Sequence, residues 1–347
     1  MFREDVKKII LWFMVFVIVF VLVALFIIFG GYMKSQSPVE MQTCGDGTFY
    51  ETCSLDNPYF CNAGILVENV ALCGCPKGTR KIGDSCDSEY LINPLEISLK
   101  YVLRGEENLL NLTVYGGVVD YLKELPRSIY YSGKEIPQRI DFKLLKTNDE
   151  IQRDALLPFV NEIRNLAPDN REDQMRIAVS LIQNIPYIEP ENVTVLNGRS
   201  LRVARYPYQV LYDYAGSCEG KSELLSFILR ELDYGVALFY YGPENHESVG
   251  IKCPVEKSLI GSGYCFIETT SPWIIGDDRG EYLGTGKLVS KPEVVVIDDG
   301  ISLGEKLDEY KDSKRFMNLR DGKSIWVLFK DSCIKKLSEK YGLAGIL

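Results

Sequence analysis

Gly216-Ser217-Cys218-Glu219-Gly220-Lys221 runs into Leu224, Leu225, Ile228, Leu229 and Leu232, an apolar stripe at helical spacing. Ser217 is a fair N-cap, so the helix starts at or next to Cys218, and Gly235 is its expected stop. A thiol at that place lies beside backbone N–H groups that have no intrahelical partner. Their partial positive charge favours thiolate, and the same groups can receive the oxyanion of a tetrahedral intermediate. Gly216 and Gly220 are expected to leave room for a substrate at the sulfur, and Lys221 is expected at the surface.

The chain has one histidine, His246, so imidazole chemistry near neutral pH falls to that residue. Three strands are predicted after the helix, over Val236 to Tyr241, His246 to Cys253 and Tyr264 to Thr270. The second opens on His246 and the third carries Glu268. Neighbouring strands can set a carboxylate beside an imidazole, where it fixes the ring and stabilises the imidazolium. Glu247 should point to the opposite face. Taken singly, these are a small buried cysteine, a surface histidine and a strand glutamate. Together, thiol, imidazole and carboxylate in that order are the parts of a cysteine nucleophile triad, Cys218, His246 and Glu268. Gln209, an amide upstream of the cysteine, is the candidate oxyanion side chain. The spacing holds no metal or cofactor pattern, and neither is expected.

Working outward toward the N-terminus, Ile9 to Phe29 is unbroken apolar sequence without a charge. At ~1.5 Å per residue it spans the ~30 Å hydrocarbon core. A cleavable signal peptide has a shorter apolar region, about 7–15 residues, and Gly30-Gly31-Tyr32-Met33-Lys34 is a poor cleavage site. The expectation is an uncleaved anchor. Arg3, Lys7 and Lys8 precede it and only Lys34 follows closely, which places the N-terminus in the cytoplasm and the bulk of the chain outside. Six of the ten cysteines fall at Cys44, Cys53, Cys61, Cys73, Cys75 and Cys86, in a segment rich in Gly, Asn, Asp and Pro. Such a segment buries little core and needs staples. Three disulfides, with fifteen possible connectivities, are favoured over a zinc site, since no histidine lies there. Cys253 and Cys265 are expected to pair outside the cell. Cys333 is read as a free thiol, with pairing to Cys218 the lesser alternative. The sequons at Asn111 and Asn192 are compatible with that location.

The predicted organisation is a cytoplasmic tail (1–8), a transmembrane helix (9–29), a polar stalk (30–43), a disulfide-rich module (44–86), a β-rich connector (87–148), a catalytic domain (149–297) and a C-terminal extension (298–347). The connector draws its strands from Leu95 to Leu103, Asn111 to Tyr115 and Ile140 to Leu144, where apolar residues alternate. Apolar stripes at Ile151 to Ile163 and at Met175 to Ile185 predict two helices, the second ended by Pro186. In the extension, Trp326-Val327-Leu328-Phe329 is a strand candidate for completing the sheet. Apolar residues make up 46% and charged residues 25%, a folded composition, and the net charge is -9. No basic stripe is present, so no nucleic-acid partner is expected. Nothing in the sequence fixes an oligomeric state.

Residues Leu156 to Gly276 resemble the transglutaminase-like superfamily, which has a papain-like core. The residues that carry the likeness are Tyr206-Pro207-Tyr208-Gln209-Val210-Leu211, Gly216-Ser217-Cys218-Glu219, His246-Glu247-Ser248-Val249-Gly250 and Ile267-Glu268-Thr269-Thr270-Ser271-Pro272. The microbial, membrane-anchored branch is the most similar. The chain departs from the pattern at Ser217 and Gly220, where Asp is common, at Glu268, where Asp is usual, and at Ser248, where an aromatic follows the histidine. The disulfide segment is similar to small modules of archaeal surface proteins. The resemblance implies an α+β fold with the Cys-bearing helix packed on an antiparallel sheet. It also implies acyl transfer through a Cys218 thioester, with His246 as base and Glu268 as orienting group. Water as acceptor makes the protein a protease or amidase acting on a protein or peptide. A lysine amine makes it a crosslinking transglutaminase. A non-catalytic peptide-binding module on the same fold is the remaining alternative.

Overall fold

The computed structural model describes residues 2–34, 42–126, 129, 131–132, 135–189, 193–196, 199–202, 204–322 and 330–343. Two compact units divide the chain, Met1–Asp87 and Ser88–Leu347. The first begins with helix α1 (Phe2–Lys34). Its stretch Lys7–Phe29 has a mean hydropathy of 3.3, long and apolar enough for a membrane span or a signal sequence.

The cysteine module contains hairpin β1 (Tyr59–Asn62) with β2 (Ile65–Glu68), the single turn α2 (Val70–Cys73), and hairpin β3 (Thr79–Ile82) with β4 (Ser85–Ser88). Cys44, Cys61 and Val70 are its buried apolar side chains among the described residues, too few to hold the chain. Its cysteines pair as Cys44–Cys61, Cys53–Cys73 and Cys75–Cys86, which selects one of the open connectivities.

Ser88–Leu347 is a mixed helix and sheet unit. It opens with the hairpin β5 (Pro94–Leu103) and β6 (Glu106–Tyr115), followed by α3 (Gly116–Glu124), α4 (Arg139–Thr147), α5 (Glu150–Leu166) and α6 (Arg171–Gln183). Asp149 caps α5 by accepting from Gln152 N–H, and Asn170 caps α6 by accepting from Asp173 N–H. The short hairpin β7 (Val193–Leu196) and β8 (Arg199–Arg202) leads to α7 (Pro207–Tyr212) and α8 (Cys218–Glu231). Then come β9 (Val236–Tyr241), β10 (His246–Lys252), β11 (Tyr264–Ile267), the hairpin β12 (Glu281–Tyr282) and β13 (Gly286–Lys287), β14 (Glu293–Asp298), α9 (Asp308–Arg320) and α10 (Lys330–Tyr341).

The central sheet is antiparallel in the order β11-β10-β9-β14. Alternation along β9 sorts its side chains. Val236 and Leu238 join the core of Leu224, Leu225 and Ile228 from α8. Ala237, Phe239 and Tyr241 join Phe266, Trp273 and, from α9, Phe316 and Leu319 on the other face. The Cys253–Cys265 disulfide ties the end of β10 to β11.

Two expectations change. Ile140 to Leu144 is not a strand but part of α4. Asp141 accepts from Gln138 N–H in a capping box, and a helical turn is what carries both Lys143 and Lys146 to the buried Glu223 carboxylate on α8. These local and tertiary polar contacts override a five-residue alternation. Helix α8 stops before Gly235, with Asp233 taking the left-handed conformation at φ 65°. Gly235 instead permits a close approach, since an added Cβ would lie 2.8 Å from Lys252. Among the described residues β14 lies at one edge of the sheet; Trp326 to Phe329, the strand candidate, lie outside them.

Candidate active site

Cys218 is the first residue of α8, and the Ser217 hydroxyl caps the helix by accepting from Gly220 N–H. The thiol is free and half-buried. Gly216 and Gly220 serve packing rather than access: an added Cβ at either would come within 2.9 Å of Val210 on α7. Tyr187 lines the other side through a parallel bridge to Gly216.

His246 opens β10 with its side chain fully buried. Register explains its meeting with Glu268. Val249 pairs with Ile267, so the next residue past the end of β11 stands across from Ser248, on the face that His246 shares. The Glu268 side chain reaches diagonally, and Oε2 lies 3.0 Å from His246 Nε2. The other oxygen, Oε1, accepts from Thr269 N–H, Thr270 N–H and the Thr270 hydroxyl at 3.0, 2.8 and 2.7 Å. Burial pushes the carboxyl pKa up, but the His246 charge and these hydrogen bonds hold it below the usual carboxylate range. Burial likewise pulls the imidazole down, but the Glu268 charge and hydrogen bonds to Cys218 and Glu268 push it up to about 10. Structure therefore brings Cys218, His246 and Glu268 to one place.

Gln209 has a different immediate use. Its Oε1 accepts from Tyr206 N–H at 2.9 Å in a capping box at the start of α7. Lys221 is fully buried, not at the surface as expected, and donates to the carbonyl oxygens of Gln183, Ile185 and Thr270. Sequence reasoning missed two further contacts to the ring. Thr285 Oγ1 lies 3.0 Å from His246 Nδ1, and the Tyr282 ring stacks on the imidazole with 4° between planes. Both come from the β12–β13 hairpin. Its base is fixed by the Tyr282 hydroxyl donating to Asp277 O, and by Arg320 of α9 donating to both Asp277 carboxylate oxygens at 2.8 and 2.9 Å. Nothing local in Leu283-Gly284-Thr285-Gly286 marks that role, because it exists only after the chain returns from the sheet.

Behind the site is a second polar cluster. Lys143 Nζ contacts Glu219, Glu223 and Glu247 at 2.8–3.0 Å, and Lys146 pairs with Glu223. Burial and the neighbouring carboxylates push Glu247 up to about 7 against the pull of Lys143.

No family model matches the chain, and no curated protein does. Among solved structures it is similar to calcium-bound LapG of Legionella pneumophila, at 12% identity and a TM-score of 0.25, over 51% of this chain and 98% of that one. A second LapG structure from Legionella pneumophila matches at 13% identity and a TM-score of 0.24, over 55% of this chain and 94% of that one.

Proposed function

We propose that this chain is a membrane-anchored, extracellular cysteine hydrolase of the transglutaminase-like superfamily that cleaves a protein or peptide by acyl transfer. The observation that carries the reading is the buried His246, bonded through Nε2 to Glu268 at 3.0 Å, with its pKa raised in part by the free Cys218 thiol. Nε2 is held by the carboxylate, so proton exchange with sulfur falls to Nδ1, which must turn from its 3.0 Å contact with Thr285 Oγ1 to serve it. The thiolate attacks the carbonyl carbon, and the α8 N–H groups receive the oxyanion. The imidazolium gives its proton to the departing amine as the C–N bond breaks. Water then attacks the thioester, its proton returns to the ring, and the thiolate leaves. Apolar α1 and the four disulfides support an anchor followed by an outside location.

The test is alkylation of the purified extracellular part by iodoacetamide across pH 5–10 without reductant, with the label mapped by mass spectrometry. Fast labelling of Cys218 with a profile altered by H246A is expected. Labelling of Cys218 no faster than in the denatured chain, or a profile indifferent to H246A, overturns the reading.

A further inference from the structure

Two lysines are fully or nearly buried among the described residues, Lys143 and Lys221. Lys143 lies among three carboxylates. Lys221 has none: its Nζ donates to the carbonyl oxygens of Gln183 and Thr270 at 3.3 Å and to that of Ile185. Burying an ammonium without a carboxylate partner is costly, so what it holds matters. Gln183 is the last residue of α6, where helix carbonyls lack intrahelical donors and carry the negative end of the dipole, and Ile185 follows two residues on, just past the Asn184 C-cap. The chain continues from there into Pro186 to Ile188, which bonds to Gly216 on both sides, just before Cys218. Thr270 is the residue whose N–H and hydroxyl bind Glu268. Gln183 reinforces the same turn, its Nε2 donating to the carbonyls of Glu268 and Trp273 at 2.9 and 3.0 Å.

Ser222 repeats the pattern one residue on. Its hydroxyl donates to Glu247 O at 3.1 Å, next to His246, and lies 3.0 Å from Thr269 Oγ1, next to Glu268. Ser222 is also fully buried.

Taking Cys218, His246 and Glu268 as the reaction centre, we propose that Lys221 and Ser222 are its positioning residues: the helix turn after the nucleophile grips the chain beside each of the other two members and so sets the thiol-to-imidazole distance. Misplacement on the order of 1 Å costs about a hundredfold in such sites, which is the scale of effect at stake. Glu268 is the charged group that acts on Lys221, with Cys218 a turn earlier on α8, Tyr187 two residues beyond Ile185, and His246 bonded to Glu268. Burial lowers the Lys221 pKa to about 7 against the pull of Glu268, so rising pH removes one of three donated protons while the imidazole, near 10, keeps its own.

The experiment compares wild type, S222A, K221M, K221R and H246A by thermal melting and by the Cys218 alkylation rate from pH 5 to 10. S222A is expected to fold and to label between tenfold and about a hundredfold more slowly at pH 6.5. K221M is expected to lose rate similarly and to lack an inflection near pH 7 that wild type and S222A share, and K221R to recover part of the rate. Folded S222A labelling at the wild-type rate, or a folded K221M that retains the inflection, overturns the proposal. Should K221M not fold, the S222A rate alone decides. A wild-type profile indifferent to H246A removes the underlying reading, and this one with it; a profile that H246A changes and neither positioning variant alters removes this one alone.

Discussion

His246 and Glu247 are consecutive in β10 and serve two unlike polar clusters, one on each side of the strand. On the His246 side there is a single buried pair, imidazole and Glu268, with every remaining oxygen of the carboxylate hydrogen-bonded and a free thiol within reach. On the Glu247 side two lysines meet three carboxylates, two of them fully or nearly buried. The first cluster has few charges and one group that can leave or accept a proton without disturbing the rest. The second has interlocked charges, so removal of any one strands the others. The comparison teaches that burial of charge by itself does not distinguish the two clusters: what differs is that one of them ends in a free, half-buried thiol.

The largest effect expected from breaking this contrast is on the chemistry. H246A should lower turnover by about 10²–10⁴-fold while leaving the fold, as read by circular dichroism. The raised imidazole pKa also sets a pH window. Its contribution to stability is complete below the unfolded value near 6.5 and is lost as pH rises through about 10, so melting temperature should fall across that range in wild type and less in H246A.

On the other side, K143M takes the cation from buried Glu247 and leaves Glu223 to Lys146 alone, and should cost about 3–5 kcal/mol in urea unfolding, with the His246-dependent labelling profile kept in the folded fraction. Loss of labelling in folded K143M would mean that the two sides are one unit. Removing the Cys253–Cys265 bridge with paired serines should cost about 2–3 kcal/mol and leave both pH dependences unaltered, since it braces the strands at their far end. The smallest effect sharpens the picture. Glu247 has a raised pKa, so its contribution to stability is present at low pH and is lost as pH rises from the ordinary carboxylate value through about 7. E247Q should flatten that slope in urea unfolding followed from pH 5 to 8.

Much of the candidate site could be read from the sequence because its local rules agree. Ser217 caps, leucines at helical spacing follow, and Cys218 falls at the first turn; β9 begins at Val236 and β10 at His246 as their patterns predict. What escaped notice is held by contacts between distant segments. Lys221 looked like a solvent residue because its acceptors are carbonyls, which no side-chain pattern announces. Lys143 fell in a short alternating run and was assigned to a strand, yet its partners lie more than seventy residues later. Thr285 sits in a glycine-rich turn, and only the folded hairpin brings it to the ring.

The adjacency of the two clusters has a consequence for folding accuracy. Side chains alternate with a period of two, so a slip of β10 by one residue would turn the imidazole toward Lys143 and Lys146 and Glu247 toward the face it now avoids. The ring would then face two ammonium groups without Glu268, while Glu219 and Glu223 lost the arrangement that neutralises them. The charges behind the strand thus act as a key that admits only one alignment, and the placement of the imidazole is proofread from the side where no reaction takes place.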